Sequence, residues 1–162
     1  MAKAFIDDDN KGDAEDTGPS LARSLSVLRT ATRCPECGRP TRVYALGCDS
    51  YKDAEYLEFL EQFHFLHHIR SLPADFLLQL RTICPGYRLD TGKDSKTWLM
   101  NHCGCGARLS DDYLHGDVGA AFNPGTPEGF AYIKIIRRFN APDLPVESSW
   151  TLGGGEYLTE ER

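Results

Sequence analysis

Apolar positions along the chain change period several times. Between residues 20 and 46, Leu21, Leu25 and Leu28 fall at helical spacing, while Leu25 and Val27 also suit a strand. Beyond them the signal is clearer. A Thr- and Arg-rich run leads into Cys34, and Thr41-Arg42-Val43-Tyr44-Ala45-Leu46 leads away from Cys37, which predicts a β-hairpin with the cysteine pair at its tip. Residues 51–70 carry Tyr56, Leu57, Phe59, Leu60, Phe63 and Leu66 at spacings that predict a long helix with a broad apolar face. Asp49 or Ser50 would cap its start, and Arg70 would suit its end. A second, shorter helix is predicted from Pro73 through Ile83, ended by Pro85-Gly86. The two together make an inserted helical hairpin over about 49–86.

After a polar loop at 87–97, Trp98-Leu99-Met100-Asn101-His102 reads as a strand. A single helical turn follows, capped by Ser110, and then a Gly- and Pro-rich stretch with turn signals near Asn123-Pro124 and Pro127-Glu128. In 131–139, Ile133 and Ile135 share one strand face with Phe139, while Lys134 and Arg138 point the other way. The C-terminal stretch reads as loop, with an edge strand at Trp150-Thr151-Leu152. The fold class expected is α+β: a hairpin and small antiparallel sheet with the helical insertion, in one domain over 20–162.

Composition narrows the partners. A 162-residue chain with net charge −6 lacks the basic surplus that nucleic-acid binders use to release counterions. Six of the 24 acidic residues lie in residues 1–19, where Asp7, Asp8, Asp9, Asp13, Glu15 and Asp16 predict a disordered tail. No apolar run reaches the length of a signal peptide or a membrane span, so a soluble cytoplasmic protein is expected. One local exception to the acidic balance is the hairpin, which bears Arg23, Arg29, Arg33, Arg39 and Arg42.

Six cysteines in such a chain read as metal ligands rather than disulfides. Cys34-Pro35-Glu36-Cys37-Gly38 places two thiolates on one tight turn, with a glycine where the turn demands positive φ. Cys103-Gly104-Cys105-Gly106 supplies two more, separated by one residue instead of two. Over Cys34–Gly38 the chain resembles the knuckle of zinc-ribbon and rubredoxin-like domains, a resemblance that implies zinc and nothing about activity. Cys34, Cys37, Cys103 and Cys105 together would close a Zn2+ tetrahedron with no open position, which makes the ion structural. The narrow bite of the second pair leaves His102, Cys48 and His115 as substitutes for the fourth ligand.

Other candidates are weaker. His64, His67 and His68 lie in the 51–70 segment without the intervening glutamate of a metalloprotease signature, and Asp111, Asp112, His115 and Asp117 form a polar cluster best read as a capped surface turn. Cys84 reads as a small buried side chain. There is no nucleophile elbow, Walker loop or dinucleotide fingerprint, and Gly153-Gly154-Gly155 lacks the lysine of a phosphate loop. The expected function is therefore non-enzymatic: an adaptor, inhibitor or immunity-type protein that meets a protein partner, or a second copy of itself, through the aromatic helix 51–70. The alternatives are a nucleic-acid-binding zinc ribbon using the arginine-bearing hairpin, and a zinc-dependent hydrolase using an open site.

Overall fold

The structure is a computed structural model that describes residues 19–55, 58–140 and 143–161. Strands β1 (Leu21–Arg33) and β2 (Pro40–Lys52) form one long antiparallel hairpin, in register from Leu21 opposite Lys52 to Arg33 opposite Pro40. Cys34 and Cys37 sit at its tip. On one side β2 pairs with β3 (His64–Ser71), and β3 with β9 (Glu147–Leu152). On the other side β1 pairs with β7 (Lys134–Phe139) and with the short β8 (Leu144–Pro145), and β10 (Thr159–Glu160) runs parallel to β7. A smaller antiparallel sheet is built from β4 (Arg88–Thr91), β5 (Thr97–His102) and β6 (Arg108–Leu109). The described helices are α1 (Ala74–Ile83), α2 (Asp111–His115) and α3 (Pro127–Phe130).

The large sheet is covered on both faces. Leu25, Val27 and Leu46 pack against Phe76 and Leu80 of α1 and against Tyr87 and Leu99, while Leu28, Val43 and Ala45 pack against Leu109, Leu114, Phe122 and Ile133. Every residue of β2 from Val43 to Cys48 is consequently buried. A strand enclosed on both sides selects apolar residues at consecutive positions and loses its alternation.

That loss of alternation explains part of the main correction to the sequence reading. The described residues of 51–70 form no helix: Tyr51 and Lys52 end β2, and 64–70 belong to β3. Phe65 points into one core and Leu66 into the other, so the end of the run is a strand buried on both faces, while Phe59, Leu60 and Phe63 precede that strand and Leu60 is exposed. The helical hairpin thus reduces to α1 alone within the insertion, and the aromatic helix expected to meet a partner or a second copy does not exist as a surface. Tyr56 and Leu57 of that segment, like residues 1–18 of the expected acidic tail, lie outside the described residues.

A smaller correction concerns Phe139. A bulge shifts the β1–β7 register between Val27 and Leu28, so that Leu28 opposes Ile135 and Val27 opposes Arg137. The extra residue, Ile136, reverses the facing that follows, and Phe139 packs against Phe76 instead of sharing the Ile135 face.

Candidate metal centre

Each cysteine pair sits on a turn closed by two backbone hydrogen bonds. At the hairpin tip the Gly38 N–H donates to the Cys34 carbonyl at 2.9 Å, and the Cys34 N–H donates to the Arg39 carbonyl at 2.9 Å. In the β5–β6 turn the Gly106 N–H donates to the Cys103 carbonyl at 2.8 Å, and the Cys103 N–H to the Ala107 carbonyl at 2.9 Å. The same pattern is made with one residue fewer. Gly38 (φ 75°) and Gly106 (φ 96°) both follow the second cysteine in left-handed conformation, and a Cβ on either would meet nothing within 4 Å. Backbone torsion, not space, requires glycine there.

The topology brings the two turns face to face. Cys34 and Cys105 sulfurs are 3.8 Å apart, those of Cys37 and Cys103 are 3.7 Å apart, and all four lie within 4.8 Å of one another. These separations match a tetrahedron with metal–sulfur bonds of about 2.3 Å, which sets sulfurs about 3.8 Å apart. They are too long for disulfides, and all four thiols are free. The four cysteines could hold one metal ion, and among the described residues no other His, Cys, Asp and Glu group is as close.

What aligns the turns is a side chain the sequence reading passed over. Asn101, fully buried on β5, accepts the Tyr44 N–H at 2.8 Å and donates to the Tyr44 carbonyl at 2.9 Å. It stands in for a strand residue on the open edge of β2 and fixes the Cys103 turn relative to the hairpin. Its signal was present: a lone amide in the apolar run Trp98-Leu99-Met100. A second tie is Tyr113 of α2, whose hydroxyl donates to the Arg33 carbonyl at 2.9 Å, next to Cys34.

The site is polarised. Cys34 and Cys103 face the core, while Cys37 and Cys105 are exposed. Hydrogen bonds from the Arg39 backbone and then its guanidinium pull the Cys37 thiol down to about 6. A backbone hydrogen bond at Cys105 leads the causes that lower Cys103. At Cys105 the Ala107 hydrogen bond also acts to lower the thiol, but desolvation and the sulfurs of Cys103, Cys34 and Cys37 outweigh it and leave it raised to about 11. Four thiols this close resist becoming four thiolates until a cation joins them.

The proposed substitutes for the fourth ligand lie elsewhere. His102 is engaged by the Gly86 carbonyl at 2.8 Å and by Asp90 at 2.7 Å. Cys48 is enclosed in the opposite core, where burial pushes its thiol up to about 12, as it does for Cys84. His115 is stacked on Phe122 with ring centroids 5.1 Å apart.

His115 belongs to a second polar cluster, assembled from β3 and α2. His68, in a left-handed conformation (φ 52°), donates its backbone N–H to Asp111 Oδ2 at 2.7 Å. Its ring nitrogens face His67 Nδ1 at 3.0 Å and Asp112 at 3.1 Å. His67 Nε2, Asp111 Oδ1 and His115 Nδ1 are buried without a hydrogen-bond partner. Burial pushes His67 down to about 4 and His115 down to about 3, and raises Asp111 to about 6. Of the residues grouped from the sequence, Asp117 is exposed and outside this cluster, and His64 packs between Tyr51 and Trp150.

Comparison of the chain with protein-family models, curated proteins and solved structures found no match. Among the described residues, no helix is long and apolar enough to cross a membrane.

Proposed function

We propose that this chain is a non-enzymatic interaction protein whose scaffold is braced by one structural Zn2+ ion on Cys34, Cys37, Cys103 and Cys105. The observation that carries the reading is the four-sulfur spacing: a tetrahedral ion bound there has every position filled by protein and none left to activate water. The paired glycine-closed turns favour zinc and a zinc-ribbon-like corner, and free thiols suit a reducing compartment such as the cytoplasm. The ion would tie a hairpin tip to a turn 66 to 71 residues further on, where neither turn has much core of its own. Cobalt substitution tests this. Absorption bands of a four-sulfur tetrahedral site are expected; bands showing bound solvent would favour the zinc hydrolase instead.

The nucleic-acid alternative keeps fewer arginines than the sequence offered. Arg23 pairs with Asp143 at 2.8 Å and Arg29 with Glu161, which leaves Arg33, Arg39 and Arg42 around the tip. Retardation of a DNA or RNA probe at low salt, abolished by Arg39→Glu with Arg42→Glu, is the result it requires.

A further inference from the structure

With 51–52 and 64–70 in the strands of the large sheet, the surface that meets a partner is sought elsewhere. Leu77, Leu78 and Arg81 of α1 and Arg88 and Leu89 of β4 line a groove of about 270 Å³ floored by Leu99. Leu78 is 61% exposed and Leu89 42%, so the groove presents bulky apolar side chains to solvent. Arg88 also borders a wider cavity that continues to Arg42 and the Cys103 turn.

Two arginines, Arg81 and Arg88, supply positive charge at its rim. Arg23, Arg29, Arg70, Arg108 and Arg138 each have a carboxylate partner; among the described residues Arg81 and Arg88, which line the groove, have none, nor have Arg33, Arg39, Arg42 and Arg137. Carboxylates are in excess, 24 acidic residues against 18 basic ones, so their supply does not limit pairing. Two exposed guanidinium groups are left with their forks unfilled beside an apolar slot. Guanidinium favours planar carboxylates at an interface, and leucines favour bulky apolar anchors.

We propose that the α1–β4 groove binds an acidic peptide segment of a partner protein, seating its apolar side chains between Leu78 and Leu89 and its carboxylates on Arg81 and Arg88. This rests on the reading of the chain as an interaction protein and names the chemistry of its partner. A nucleic-acid strand would satisfy the arginines but leave the leucines wet.

The test is fluorescence anisotropy on the full metal-loaded chain with three fluorescein-labelled probes. These are an Asp-Glu-Phe-Leu-Asp-Glu peptide, the same peptide with Ser and Gly for its acids, and an oligo(dT) strand. Saturable binding of the acidic peptide is expected, about tenfold tighter than the neutral one and weakened by salt. Arg81→Glu and Arg88→Glu should each weaken it about tenfold, while Lys96→Glu, on a turn outside the groove, leaves it unchanged. Absent binding, equal binding of the neutral peptide, tighter binding of oligo(dT), or an equal loss in Lys96→Glu overturns the proposal. The cobalt spectrum separates the two readings: failure with four-sulfur bands intact removes the groove alone, and solvent-bound bands remove the interaction scaffold.

Discussion

Two polar clusters touch α2, and they differ in what makes them. At the sulfur centre each ligand pair sits on a turn specified by its own neighbours, with two backbone hydrogen bonds and a left-handed glycine, so the fold only has to bring two finished halves together. The histidine–aspartate cluster has no such local unit. Its members come from a strand and a helix 43 residues apart, and one of them, His68, reaches its place only through an unfavourable φ of 52°. The first is complementary to a cation that would satisfy every sulfur, whereas the second buries three polar atoms that no protein group satisfies. Thus a site made of self-sufficient turns announces itself along the chain, and a site made by tertiary register does not.

The comparison breaks most visibly if the sulfur centre is dismantled. Cys34→Ser or Cys103→Ser, which alter the buried cysteines, should lower metal affinity on the order of a hundredfold or more and lose native structure with it. The exposed Cys37→Ser and Cys105→Ser should lose metal while keeping more of the fold. Metal analysis after gel filtration, with circular dichroism, measures both; equal unfolding in all four would mean that burial does not rank them.

Asn101→Leu comes next, because it strips partners from both the N–H and the carbonyl of Tyr44 without touching a cysteine. A loss of about 2–4 kcal/mol in denaturant unfolding is expected, with weaker metal binding, if the clamp aligns the two turns.

The histidine cluster should add its own pH dependence to the one that proton uptake at the sulfurs gives. His67 and His115 titrate below the ordinary imidazole value because they are buried, so their stabilising effect is complete above about pH 6.5. It falls as the pH drops toward about 4 and 3, since the unfolded chain takes up protons that the folded chain refuses. Asp111, raised to about 6 by burial, works in the opposite sense as the pH falls below that value, and one carboxyl does not offset two imidazoles. The thermal midpoint should therefore fall between pH 7 and 5.5, over which cobalt bands can verify that the ion stays bound. His115→Gln should flatten that slope; an unchanged slope would assign it to the sulfurs.

The smallest effect expected is at the two glycines. Gly38→Ala and Gly106→Ala have room for a methyl group, so each should cost only the left-handed torsion, about 1–2 kcal/mol in unfolding, and by similar amounts. A much larger loss at Gly106 would show the shorter turn to be strained.

The same contrast accounts for what could be read in advance. The cysteine turns, α1 behind Pro73, the Trp98 strand and the Ser110-capped turn each carry local chemistry, and each stands where the sequence placed it. Residues 64–70 were misread because burial on both faces erases the alternation that marks a strand, and Phe59, Leu60 and Phe63 before them fell at spacings a helix also allows. Asn101 and Tyr113 act on carbonyl and amide groups 57 and 80 residues away, distances at which neighbours along the chain carry no information. Phe139 was misplaced by one inserted residue in β7, a register event visible only in the paired strands.

Enclosure of β1 and β2 on both faces also makes the large sheet a partition between two apolar compartments. Cys34 and Cys103 belong to only one of them, with Leu109, Leu114, Phe122 and Ile133, while α1 seals the other. Withdrawing the proposed ion would therefore act unevenly: amides from 109 to 133 would open to exchange first, and those behind α1 would keep their protection until the partition itself gave way.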